Sequence, residues 1–256
     1  MDSFLLKRWN SFLRYFDFPG NEPTLVFLHG LGCASTSDFP RMLRSSPLAS
    51  HRSILPDFFG HGYSDGPTDF SYTLEQHAKT IMELLDFLKV KNNVLFGHSM
   101  GGSVAVTLAT DRPDLVSRLI LAEANLDPGG GFVSKGIATQ TEEEFASTGH
   151  KLLIKNLLAA GFPTNMGTFQ VAASHGLYLS AVGLVKGTTP TTREKLYKMT
   201  IPRAFIYGEK SLTPEETDPK ILREHGVQVL IVPNARHPMM LDNSAGTAEA
   251  IKRAIN

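Results

Sequence analysis

The sequence predicts an α/β protein: a mostly parallel, doubly wound sheet with an antiparallel hairpin at its N-terminal end and a block of helices inserted into it. Three observations carry that prediction. Short, nearly all-apolar runs recur along the chain, as strands covered on both faces by helices must read. Helical periods alternate with them, the rhythm of strand, crossover helix and parallel strand. From about residue 141 to 199 the alternation lapses into helical spacing alone, broken by Gly and Pro.

Taken in order, FLL (residues 4–6) and SFLRYF (11–16) flank a Trp9-Asn10 turn and read as the hairpin. LVFL (25–28), ILPD (54–57), VLF (94–96) and LILA (119–122) follow as buried strands. The clearest helix spans 74–88, where Ile81, Leu84, Leu85 and Leu88 recur at three and four residues behind a Thr73 N-cap. DPGGG (127–131) is a hinge-like cluster, and beyond it Leu152, Leu153, Leu157 and Leu158 keep a helical period. AFIY (204–207) and VQVLIV (227–232) resume the sheet with a helix between them over about 214–224, and a last helix over about 245–255 closes the chain. The expected organisation is a core of residues 1–126 and 200–256 carrying a helical lid, 127–199.

With 256 residues, 42% of them hydrophobic, the chain can bury one sizeable core. Lys and Arg number 25, as do Asp and Glu, and no basic run exceeds Lys7-Arg8, so no net field would draw the protein to nucleic acid or to an anionic membrane. The expected partner is a small, uncharged substrate, and the expected assembly a monomer or homodimer. Cys33 is the single cysteine and cannot form an internal disulfide, and MDSFLLKRW lacks the features of a secretory signal. A reducing, cytoplasmic setting is expected. No window approaches the roughly eighteen continuous apolar residues of a membrane span.

The chemistry concentrates in VLFGHSMGG (94–102), a G-x-S-x-G pattern directly after a buried strand and directly before a helical run. A strand turning sharply into a helix forces its corner residue into a strained conformation, and Gly97 and Gly101 remove the side chains that would collide there. Ser99 Oγ is thereby presented at the carboxyl edge of the sheet. A serine hydroxyl needs a base, and its tetrahedral intermediate needs preorganised donors. LHGLG (28–32) ends the first buried strand, so the N–H groups of Leu31 and of Met100, at a helix start, are expected to form an oxyanion hole. The His29 side chain is expected to cap and pack its turn.

HG at 29–30, DFFGHGYS at 57–64, GHSMGG at 97–102 and NARHPMM at 234–240 stand together in an order that resembles the α/β-hydrolase fold family, and they cover nearly the whole chain outside the lid. The resemblance implies that Asp57, Gly60, Gly62 and Ser64 hold a loop, that His61 is scaffold, and that His237 is the base, taking the Ser99 proton on Nε2 and returning it to the leaving group. His98 and the remaining histidines are expected in surface or core roles. Most family members carry an Asp after the penultimate strand in a turn like G-E-K-D; this chain has GEKS, with Ser211 in that place. Serine is shorter and uncharged, so it cannot stand in for the carboxylate, and its own loss is expected to matter little.

The carboxyl ends of parallel strands open onto one cleft, so another strand tip can supply the acid. Glu123 is the first charge after the apolar run LILA, and an unpaired buried carboxylate there would be strongly unfavourable. Its place is similar to the acid position of those relatives, some haloalkane dehalogenases among them, whose acid has moved to that earlier strand. Glu123 is the first choice, Asp127 the second, Glu209 the third. A serine nucleophile argues against the dehalogenase and epoxide-hydrolase branches and for acyl transfer to water, without metal or organic cofactor. The expected activity is a carboxylesterase acting on a small to medium uncharged ester. Carbon–carbon bond hydrolysis, lactonase, amidase or thioesterase chemistry on the same triad, or a non-catalytic small-ligand receptor, stay open beside it. Phe132, Phe162, Phe169, Tyr178 and Met239 are the expected substrate-binding residues.

Overall fold

In the computed structural model, which describes residues 1–44, 47–211 and 218–256 (163–166 by backbone alone), the apolar runs become β1 (Asp2–Leu6), β2 (Ser11–Phe18), β3 (Asn21–Leu28), β4 (His51–Pro56), β5 (Asn93–His98), β6 (Val116–Ala122), β7 (Arg203–Gly208) and β8 (Gln228–Val232). Among the described residues they form one eight-stranded sheet in the order β1-β2-β4-β3-β5-β6-β7-β8. The pairs β1/β2 and β2/β4 are antiparallel, and every pairing from β4/β3 through β7/β8 is parallel. The N-terminal hairpin turns through a 3-10 segment, Lys7–Trp9, closed by Asn10 at φ 46°. All the carboxyl ends of the parallel strands consequently share one edge.

The helices are α1 (Ser35–Asp38), α2 (Pro40–Arg44), α3 (Leu74–Phe87), α4 (Met100–Asp111), α5 (Phe132–Ala138), α6 (Glu142–Glu144), α7 (His150–Ala159), α8 (Pro163–Val171), α9 (Ser174–Lys186), α10 (Thr192–Lys198), α11 (Pro219–Glu224), α12 (Met239–Asp242) and α13 (Ser244–Ile255). The Thr73 side chain caps α3 by accepting from the Gln76 N–H. Of the helix expected over 214–224, the part from 219 is α11; 214–217 lie outside the described residues.

The all-apolar character of the strands follows from a sheet buried on both faces. Val26, Leu28, Leu95, Leu119, Leu121, Phe205 and Tyr207 point into one apolar layer, which also holds residues of α3 and α4. Their neighbours Leu25, Phe27, Val94, Phe96, Ile120, Ala122 and Ile206 point into the other, with residues of α2 and α13. From α5 to α10 no strand interrupts the helices between β6 and β7, and α9 and α10 rest on α3 and α4.

Candidate active site

Ser99 stands between β5 and α4 at φ 53° and ψ −122°, a conformation a non-glycine residue holds only when its surroundings impose it. Its own N–H donates to Ala122 O (2.9 Å) and its carbonyl accepts from Gly102 N–H (2.9 Å), so the corner is tied to β6 and to the helix. Close approach explains the flanking glycines. A methyl group on Gly97 would run into the Gly101 backbone, and one on Gly101 into the carbonyls of Leu28 and His29. Met100 opens α4, so its N–H is among those without an intrahelical acceptor, and Leu31 lines the same cavity as Ser99.

Glu123 directly follows β6 at φ 42°, held by its N–H to Ile206 O (3.1 Å). That twist sends its carboxylate toward the ends of β7 and β8. Oε2 accepts from His237 Nδ1 at 2.6 Å; Oε1 accepts from Gly208 N–H at 2.7 Å and from the Ser211 hydroxyl. Burial pushes the Glu123 pKa up, but the bond and charge of His237, the Ser211 hydroxyl and the Gly208 amide together outweigh it and hold the carboxyl below its usual range. An ionised carboxylate only accepts, so Nδ1 carries a ring proton, and in the neutral form of the imidazole Nε2 is the nitrogen that keeps a lone pair for proton transfer.

The other two candidate acids are committed elsewhere. Asp127 forms a salt bridge with Arg193 at 2.6 Å, and Glu209 accepts from Asn234 N–H at 2.8 Å. Ser211, expected to be idle, stands where the family's Asp would and donates to the carboxylate that came from β6. Its loss therefore has a cost. Glu123 stabilises the fold above its ordinary pKa, and that contribution disappears as pH falls through the lowered native value. Ser211→Ala removes one of the lowering interactions. It is expected to destabilise the protein by about 1.5 kcal/mol at pH 7, a difference that narrows as urea unfolding is carried below the ordinary Glu pKa, and to lower kcat roughly tenfold.

The histidines sort themselves by their bonds. His29 Nδ1 donates to Gly30 O (2.7 Å) and Nε2 accepts from Phe58 N–H (3.0 Å), the expected packing role. His61 is fully buried with Nδ1 on Phe59 O, again scaffold. His98 does more than fill the core: its Nε2 donates to the backbone carbonyl of His237 (3.0 Å), with the rings 4.7 Å apart. Burial first, then the neighbouring His237, push its pKa down to about 3, so it remains a neutral strut under the loop that carries His237.

Ser99 and His237 face one cavity of about 700 Å³, yet the Ser99 hydroxyl hydrogen-bonds to Asn125 Oδ1 (3.5 Å) and not to the imidazole. Apo sites are often loose in this way before substrate closes them. Leu31, Phe132, Leu157, Phe162, Phe169 and Phe205 make the cavity wall largely apolar. Phe132 stands at the rim, 95% exposed, and the Arg236 guanidinium, 4.5 Å from the Phe162 ring, joins the inserted helices to the His237 loop.

Two expected substrate contacts are corrected. Tyr178 does not line the cavity: its hydroxyl donates to Gln140 O (3.0 Å) and its ring lies against Phe145, inside the packing of the inserted helices. Met239 is fully buried in the apolar layer below the sheet, because the residues after His237 turn down into α12. Asn125 and Leu157 line the cavity and were not among the expected substrate contacts, Leu157 having been read only as part of a helical period; Asn125 could have been found as the second residue after Glu123.

The profile of the alpha/beta hydrolase fold family matches residues 23–214. The chain belongs to the alpha/beta hydrolase fold family. It is similar to the sn-1-specific diacylglycerol lipase ABHD11 of Mus musculus, with 29% identity over 247 residues, covering 90% of this chain and 80% of the mouse protein. An uncharacterised Mycobacterium tuberculosis protein is 34% identical over 115 residues, and the chain spans 33% of that relative's length. Among solved structures, the esterase EaEST from Exiguobacterium antarcticum superposes with a TM-score of 0.81 at 22% identity, covering 100% of both chains, a likeness of fold. Among the described residues no helix is long and apolar enough to cross a membrane.

Proposed function

We propose that this hydrolase cleaves small to medium uncharged carboxylic esters through an acyl-enzyme. The observation that carries the reading is the 2.6 Å bond from His237 Nδ1 to Glu123 Oε2 beside a strained serine corner in the same cavity. Ser99 Oγ attacks the ester carbonyl while His237 Nε2 takes its proton; the Leu31 and Met100 N–H groups receive the oxyanion. Collapse breaks the ester C–O bond, and the imidazolium returns its proton to the departing alcohol. Water then repeats the cycle on the acyl-enzyme and releases the acid. Glu123 holds the ring in the productive tautomer and stabilises its positive form.

Phe132, Phe162 and Phe169 are the proposed substrate contacts from the inserted helices, with residues 127–199 acting as a lid over a core of 1–126 and 200–256. Apolar walls and the pairing of Asp127 with Arg193 favour an uncharged acyl or alcohol group. The mouse relative is named for a lipase, and ester cleavage is in keeping with that name.

A fluorophosphonate probe with peptide mass mapping tests the reading, together with turnover of short p-nitrophenyl esters. Adduct on the peptide carrying Ser99 and measurable turnover are expected. A folded sample that shows neither would sink the esterase reading and favour a receptor for a small ligand.

A further inference from the structure

Asn125 is polar, faces the reacting serine and has no part in the proton relay. Its backbone is fixed: the carbonyl accepts from Ser103 Oγ (2.6 Å), and its neighbours Ala124 and Leu126 are buried at 6% and 3% exposure. Its side chain projects into the cavity. There Oδ1 accepts from Ser99 Oγ (3.5 Å), while Nδ2 faces Gly131 at the start of α5 and donates to no group among the described residues. When Ser99 turns to His237, Oδ1 loses its partner as well and both ends of the amide stand without one. A substrate that expels water from the cavity must then pair this amide or leave it unsatisfied, and an unsatisfied buried donor is expensive. Sites holding such a donor discriminate strongly against ligands without the matching acceptor.

We infer that the Asn125 amide is a specificity-determining donor, selecting esters that carry a second acceptor oxygen, an ether, hydroxyl or carbonyl, close to the scissile carbonyl. The inference rests on the hydrolase reading above and names its substrate class. The elements around the amide favour a neutral acceptor: the two acids flanking it, Glu123 and Asp127, are held by His237 and Arg193, and the cavity wall, Lys135 apart, is largely apolar.

Two esters of one shape test it: p-nitrophenyl butyrate, and p-nitrophenyl methoxyacetate, in which an ether oxygen replaces one methylene. The difference in intrinsic reactivity cancels when the ratio of kcat/KM for the methoxyacetate to that for the butyrate is compared between proteins. That ratio is expected to fall roughly fivefold to tenfold from the wild type to Asn125→Leu, which removes the whole amide, and to fall likewise in Asn125→Asp. The aspartate keeps the shape and the acceptor oxygen but cannot donate, so it decides the matter should the leucine variant fail to fold. A ratio unchanged in variants that still label at Ser99 would overturn the inference. No turnover of either ester by the wild type would instead overturn the hydrolase reading, and this assignment with it.

Discussion

Ser99→Ala is expected to lower ester hydrolysis about a millionfold and to abolish fluorophosphonate labelling. Among the described residues the neighbouring serine hydroxyls are committed elsewhere. Ser134 is engaged with the Gly131 backbone at the start of α5, Ser103 donates to Asn125 O, and Ser211 is held on Glu123. The fold should not register the change. The Ser99 side chain makes one long hydrogen bond, and the backbone bonds that fix the corner, to Ala122 and from Gly102, survive in alanine. Thermal unfolding that matches the wild type, beside lost activity, is the expected pair of results. Hydrolysis within tenfold of the wild type would place the nucleophile elsewhere.

Glu123→Gln is expected to lower kcat by about ten-thousand-fold, with KM changed much less. The loss has two sources. A neutral amide cannot stabilise the imidazolium that forms as Ser99 gives up its proton. Gln can also donate to Nδ1 through its NH₂ group, which would place the ring proton on Nε2, where the lone pair is needed. Gly208 N–H and Ser211 would still meet the remaining amide oxygen, so the fold should tolerate the substitution. Near-wild-type kcat in this variant would remove Glu123 from the mechanism, and with Asp127 and Glu209 already held by other partners, no other anion among the described residues would stand beside the ring.

Much of this site is legible in residue order because its positions are strand ends. An apolar run marks a buried strand, the residue after it lies at the sheet's edge, and parallel strands bring those edges together. Ser99 and Glu123 were accessible on that ground, whereas His237, five residues beyond β8, was reached through the family resemblance. Ser211 was misjudged because its value depends on β7 lying next to β6, which brings the 208–211 turn under a carboxylate from residue 123. Tyr178 and Met239 were misjudged for another reason: an apolar residue in a helical insertion or beside the base is expected to be covered, and the sequence does not say whether protein or a ligand covers it.

The amino-acid order alone determined the alternating α/β architecture, the serine corner with its two glycines, and the presence of a carboxylate at the end of β6, since each is a local consequence of hydrophobic pattern and backbone sterics. Only the tertiary structure decided which acid meets the imidazole, that Ser99 rests on Asn125, and which aromatics face the cavity. Those are choices among side chains distant in sequence, set by strand order and by the rotamers that packing allows, and local pattern carries no record of them.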